Sequence, residues 1–310
     1  MADSKRTFRY LSRVHLLFIL ATITCIPSYA ANLAVLYPES PPPYKQVFEQ
    51  IISGIQQQHS DKIVRYPLSR EFDKTELLSK LKNDNIDMVV TLGRRSFSMI
   101  DSIKPLFPFV SGALPLRPGN ISGVSLITNP KNLFEQLEQL SPSTRKIHVV
   151  HTPHNDWLID AAKQSTKGKN LKLINYRVDT IADAVKQYRS IIQSADKQDA
   201  IWLPIDRVTA NEKVILPLLL RECWEKKIVL FSSKPSHVKR GSLFSLYPNN
   251  EASGVRLAKM VQRIYSDSVN PGVVTSESSN VGVNLRTARH LGLEYSPKVK
   301  QTFYLTFPKP

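Results

Sequence analysis

The sequence predicts an α/β protein of two doubly wound parallel-sheet lobes joined by a hinge. Three observations carry that expectation. Short apolar runs alternate with amphipathic helical segments, as strands buried on both faces and separated by crossover helices require. The alternation stops near residue 112 and restarts near residue 147, so it occurs twice. A length of 310 residues is also enough for two domains of ordinary size, each with its own core.

The elements follow in order. Residues 32–37 (NLAVLY) read as a buried strand, stopped by Pro38 and the prolines at 41–43. A helix over 44–58 puts Val47, Ile51, Ile52 and Ile55 on one face. Residues 62–66 form the next strand. Asp73 then opens a helix by N-cap chemistry, with Leu77, Leu78 and Leu81 as its stripe. Asp87-Met88-Val89-Val90-Thr91-Leu92-Gly93 is a third strand ending in glycine, followed by a helix over 96–103 and a strand over 108–112. The second round has strands at 147–151, 171–176, 200–204 and 228–232. Its helices run from Trp157 to Ser165, from Asp183 to Ser194 and through Cys223. The crossover is placed at 118–130, rich in Pro, Gly, Asn and Ser.

The first thirty residues read as a secretory leader. Lys5, Arg6, Arg9 and Arg13 are its basic start, residues 16–26 its apolar run, and Ser28 and Ala30 the small residues before a cut after Ala30. That run is short for a membrane span, which takes about 20 residues. The mature chain is therefore expected in the periplasm. Removal of the leader takes Cys25 with it and leaves Cys223, which cannot form an intramolecular disulfide and reads as a small core residue.

The whole sequence carries a formal charge of +16, and +13 without the leader. Its basic residues are scattered, with no Arg-rich helix and no stacked-aromatic sheet motif, so no nucleic-acid partner is expected. In an exported protein this charge serves solubility and attraction to anionic surfaces. No nucleophile elbow, phosphate loop or dinucleotide fingerprint occurs, and the chain is read as a non-enzyme with no cofactor. His148, His151 and His154 are the candidates for a metal site. Strand alternation turns the first two to opposite faces, and no metal is expected.

Four segments carry a family resemblance. They are Asp87 to Gly93 as quoted above, Pro118-Gly119-Asn120-Ile121-Ser122-Gly123-Val124, Gly241-Ser242-Leu243-Phe244-Ser245-Leu246, and Val283-Asn284-Leu285-Arg286-Thr287-Ala288 with Leu291-Gly292-Leu293. With them the chain resembles the periplasmic substrate-binding proteins of uncharacterised ABC transporters, a group that includes aromatic-amino-acid binders. The resemblance implies a type I periplasmic-binding-protein-like fold. It also implies a discontinuous domain plan: 31–143 plus about 244–273 for the first lobe, 144–243 plus about 274–310 for the second. The chain departs from the family pattern at Arg94-Arg95-Ser96-Phe97 and at Tyr247-Pro248-Asn249-Asn250-Glu251, both near the expected cleft.

In open α/β sheets ligands bind beyond the carboxyl ends of the strands. The candidate ligand-binding residues are Tyr37, Ser40, Thr91, Gly93, Arg94, Arg95, Ser96, Ser111 and Gly112 in the first lobe. In the second they are Thr152, Asn155, Asp206 and Ser232. The turn at 93–97 has the form of an anion site: glycine for close approach, the Ser96 hydroxyl, and two arginines. The alternative is that both arginines point to solvent. Asp206 is placed to meet a ligand ammonium, or else to cap the following helix. Arg94 and Asp206 together would suit a zwitterion. The expected role is therefore capture of a small polar or zwitterionic ligand, possibly an amino acid, by a monomer that docks on an ABC permease. The rival reading is a periplasmic sensory or adaptor protein that keeps the fold and regulates a membrane signalling partner.

Overall fold

The computed structural model describes residues 31–276 and 279–308. The predicted leader lies outside the described residues. Within them, no helix is long and apolar enough to cross a membrane.

The chain runs β1 (Leu33–Pro38), α1 (Tyr44–Gln58), β2 (Ile63–Leu68), α2 (Lys74–Asn83), β3 (Met88–Leu92), α3 (Gly93–Phe97), α4 (Ile100–Ile103), β4 (Phe109–Leu114), β5 (Gly123–Thr128) and α5 (Pro130–Leu140). It continues through β6 (Lys146–His151), α6 (Asp156–Thr166), β7 (Lys172–Arg177), α7 (Ile181–Ser194), β8 (Asp199–Leu203), α8 (Ile215–Lys226), β9 (Val229–Ser232) and α9 (Ser236–Arg240). It closes with β10 (Phe244–Pro248), α10 (Asn250–Asp267), β11 (Val273–Ser276), β12 (Ser279–Asn284), α11 (Leu285–His290), α12 (Pro297–Lys300) and β13 (Leu305–Phe307). One sheet has the order β11-β5-β4-β3-β1-β2 and a second β7-β6-β8-β9, with every pair in both parallel. A small third sheet, β10-β12-β13, sits beside the second, where the Leu243 N–H reaches the Leu230 carbonyl at 2.7 Å. This is the two-lobe α/β architecture the strand pattern predicts.

Each lobe has its own core. In the first, Leu33, Val35, Ile51, Ile52, Val90, Leu257 and Val261 pack together. In the second, Phe134, Trp202, Phe231 and Phe244 meet, with the Phe134 and Trp202 rings edge to face at 5.5 Å. The helix α10 returns to the first lobe and crosses α1 at very short range. A Cβ on Gly254 would stand 2.0 Å from the Ile51 carbonyl oxygen, and one on Gly54 1.9 Å from that of Glu251. Only two glycines let the backbones meet there.

Three stretches lie elsewhere than the sequence places them. Residues 123–130, read as part of the crossover, are β5 and the start of α5. Asn129 caps α5 by accepting from the Lys131 N–H at 2.9 Å, and Pro130 supplies its first turn. Leu133, Phe134 and Leu137 of that helix, with Phe244 and Leu246 of β10, sit in the core of the second lobe. The chain therefore crosses over at about residue 129, inside the 118–130 stretch read as the crossover and before the 143 boundary that the resemblance implies. Conversely, β11 pairs with β5 in the first sheet before the chain leaves for β12. The single helix expected over 96–103 is two short ones that break at 98–99, and in the first the Ser96 hydroxyl bonds back to the carbonyls of Leu92 and Gly93 at 2.5 and 3.1 Å.

Candidate ligand-binding cleft

Parallel strands deliver all their carboxyl ends to one edge. In the second lobe the segments after β6, β8 and β9 meet there around a cavity of about 830 Å³. Thr152, His154 and Asn155 come from the first of these, residues 204–208 and 210–212 from the second, and Lys234 and His237 from the third. The opposite wall belongs to the chain between the lobes: Pro115 and Arg117 after β4, and Ile127 in β5. Arg117 links the two sides, its guanidinium 2.7 Å from His154 Nδ1 and 3.4 Å from the His154 carbonyl.

Asp206 organises the floor. One carboxylate oxygen accepts from the Thr152 N–H (3.0 Å), the Thr152 hydroxyl (2.7 Å) and the Asn155 side-chain amide (2.9 Å). The other accepts from the N–H groups of Val208 (2.9 Å) and Thr209 (3.1 Å). Burial alone would raise its pKa. The bonds from Thr152, Thr209 and Val208 outweigh that and hold the carboxyl below the usual range. With five donors on two oxygens, Asp206 is a staple between the β6 and β8 loops. It is not the open ammonium partner that the sequence reading offered.

The second acid of the cavity is also engaged. Glu212 is bonded by Lys234 and lies 3.5 Å from Arg240, and the Lys234 bond is the main reason its carboxyl titrates low. Its Oε1 is 3.7 Å from Nε2 of His237. That imidazole is wholly buried, with Nδ1 2.8 Å from the Ser232 hydroxyl. Burial above all, aided by Lys234, lowers its pKa from 6.5 to about 4. The unfolded chain therefore takes up this proton at a higher pH than the folded one. The associated stability is present in full above pH 6.5 and is lost as pH falls from there towards 4. Chemical denaturation across that window should show a loss of up to about 3 kcal/mol that His237→Gln abolishes. An unchanged slope in the variant would contradict the assignment.

Of the predicted residues, the structure brings Thr152, Asn155 and Asp206 together at the cavity and does not bring the others there. Ser232 is buried beneath His237. Thr91 and Ser111 are fully buried and bond each other at 2.8 Å, so neither hydroxyl reaches a solute. Gly112 is packed, since a Cβ there would lie 2.7 Å from Leu257. The anion site expected at 93–97 does not form. Gly93 has a φ of 77° and turns the chain against Pro38 and Phe48, and Ser96 is spent on backbone. Arg95 donates to the carbonyls of Leu68 and Glu39. Arg94 is exposed, which matches the solvent alternative. Tyr37 leans on Phe48 with ring centroids 6.1 Å apart, and burial raises its phenol pKa. Ser40 lies just past β1, on the rim of the first lobe.

The three histidines have separate partners. His148 meets Asp199 at 3.0 Å, His151 meets Asn175 at 3.2 Å and Asp156 at 3.4 Å, and His154 meets Arg117. The Cys223 thiol is buried, and burial raises its pKa.

Sequence reasoning missed Arg117, Ile127, Glu212 and His237. Extending the post-β9 candidates from Ser232 to the next histidine would have found His237. Of the other three, Ile127 lies in the stretch read as the crossover, and Arg117 and Glu212 lie in stretches given no element.

Two α/β lobes with a cavity at the strand tips define a type I periplasmic-binding-protein-like fold. The chain belongs to the ABC transporter substrate binding protein family, whose model matches residues 73–303. A curated relative, a tyrosine-binding protein of Clostridioides difficile (strain R20291), is 20% identical over 181 residues. That match covers 57% of this chain and about half, 51%, of the relative. The ligand-free, open structure of a substrate binding protein with adhesive properties from Clostridium difficile is similar at TM-score 0.64 and 16% identity, over 90% of this chain and 100% of that one. An ABC domain from Streptococcus pneumoniae in complex with L-Trp is similar at TM-score 0.53 and 19% identity, over 89% and 99% of the two chains.

Proposed function

We propose that the chain is the exported solute-binding component of an ABC transport system, capturing a small polar or zwitterionic solute between its lobes for a membrane permease. The observation that carries this reading is the cavity itself: its walls come from the interlobe segment and from three strand-end loops of the second lobe. Contacts to both sides give a ligand the differential affinity that favours closure. Arg117 and Arg207, both exposed at the cavity, supply cations for a carboxylate. The tyrosine-binding relative and the neighbour holding L-Trp support an amino acid or a close derivative as the solute. The proposed lobes are 31–128 with 249–276, and 129–248 with 279–308, following the two cores.

Calorimetry of the secreted chain against the amino acids and their deaminated acids tests the reading. At least one solute should bind saturably, and Arg117→Ala should weaken it by about tenfold or more. Silence across the panel from folded, ligand-stripped protein would remove the capture role.

A further inference from the structure

We propose that His237 and Glu212 form a subsite that recognises a hydroxyl group of the captured solute; this rests on reading the cavity as the ligand cleft. Among the described residues, five buried side-chain polar atoms have no hydrogen-bond partner. Of these, His237 Nε2 is the one whose residue lines the cavity. A buried polar group without a partner is costly to keep, so the missing partner is the question to ask of it.

The chemistry of the pair selects the partner. The imidazole is fixed by Ser232, whose hydroxyl accepts from the Lys234 N–H at 3.0 Å. That hydroxyl lies closer to His237 Nδ1 (2.8 Å) than to the Leu203 carbonyl (3.3 Å). Assigning its hydrogen to the nearer acceptor, Nδ1, puts the ring proton on Nε2. This N–H faces the Glu212 carboxylate at 3.7 Å, beyond hydrogen-bond range. One oxygen at about 2.8 Å from each would satisfy both groups. A hydroxyl fits, because it accepts from Nε2–H and donates to the carboxylate. An ammonium has no lone pair for Nε2–H and is opposed by Lys234 and Arg240, which already hold Glu212. A carboxylate is repelled by Glu212.

The test uses solutes that differ by one hydroxyl: L-tyrosine against L-phenylalanine, L-serine against L-alanine, and 3-(4-hydroxyphenyl)propanoate against 3-phenylpropanoate. Calorimetry with the whole secreted chain should show the hydroxylated member of at least one pair binding about tenfold tighter or more. His237→Leu and Glu212→Ala should each collapse that ratio to within about twofold. Glu212 lies on the surface, so Glu212→Ala decides the matter if His237→Leu does not fold. Equal affinities within every pair that binds, or a ratio that survives Glu212→Ala, overturns the subsite alone. Silence from these solutes and from the full amino-acid panel overturns the cleft reading as well.

Discussion

Gly254→Ala is expected to destabilise the first lobe by about 3 kcal/mol or more, at the upper end of what overpacking costs. The methyl group would lie 2.0 Å from the Ile51 carbonyl oxygen and 2.9 Å from its carbon, and neither is a flexible tip that can swing aside. Relief requires α10 to lift off α1. That helix also carries Leu257, Ala258 and Val261, all buried in the core with Val90, Val110 and Val124 of the sheet. Lifting it would loosen the whole layer. Alanine improves helix propensity by about 1 kcal/mol over glycine, so the two effects oppose. The clash wins, because a backbone contact cannot be repacked by rotamers. Gly119→Ala is the control, since its nearest neighbouring atom is 3.9 Å away, and it should stay within about 0.5 kcal/mol of the parent. Denaturant melts of both variants decide the point. A Gly254→Ala protein within about 1 kcal/mol of the parent would mean the helices do not cross this closely.

Most of the fold was readable because its strands are buried on both faces. β3 and β8 are entirely buried, and each reads as a mainly apolar run, with Thr91 and Asp199 as its polar members. Caps were equally legible: Asp73 accepts from the Thr75 and Glu76 N–H groups at 2.7 and 3.0 Å, as its spacing before the leucine stripe predicts. What failed was the interlobe region. Ser125 and Thr128 are buried in β5, where the Ser125 hydroxyl donates to the Leu116 carbonyl at 2.8 Å. Polar residues at buried strand positions imitate a linker, since only the fold reveals the partner that satisfies them. Allocation of α5 to the second lobe was likewise invisible, because an amphipathic helix states which face is buried and not against what.

The site was legible on one side only. The strand-end rule found Thr152, Asn155 and Asp206, because in the second lobe those loops open onto the cavity. In the first lobe the same rule selected Thr91, Ser111 and Gly112, which are sealed by each other and by Leu257 of α10. That helix arrives from 140 residues further along the chain, so no local pattern could announce it. Arg95 failed for a related reason: it satisfies the Leu68 and Glu39 carbonyls at the exit of neighbouring strands. A basic residue at a strand tip serves backbone as readily as it serves a ligand.

Asp206→Ala should cost about 3 to 5 kcal/mol and loosen the cleft in the same stroke. The substitution strips a partner from three backbone N–H groups, the Thr152 hydroxyl and the Asn155 amide. A bond to a charged acceptor contributes about 1.5 to 3 kcal/mol, but these share two oxygens and are not additive, which sets the total well below their sum. Asp206→Asn separates charge from shape. Its amide keeps one acceptor and turns an NH₂ on the other set of donors, so an intermediate loss of about 2 kcal/mol is expected. The pH dependence supplies an independent sign. The folded carboxyl titrates below the unfolded one, so its contribution is present above the ordinary aspartate range and is lost as pH falls through and beneath that range. Asp206→Asn should therefore be the less acid-sensitive protein, though the weaker one at neutral pH. Because Thr152 and Asn155 line the cavity through this carboxylate, ligand affinity should fall along with stability. Denaturation at pH 7 and pH 4 together with calorimetry separates the two effects. An Asp206→Ala protein with parental stability and parental affinity would show that the five bonds do not organise the floor of the cleft.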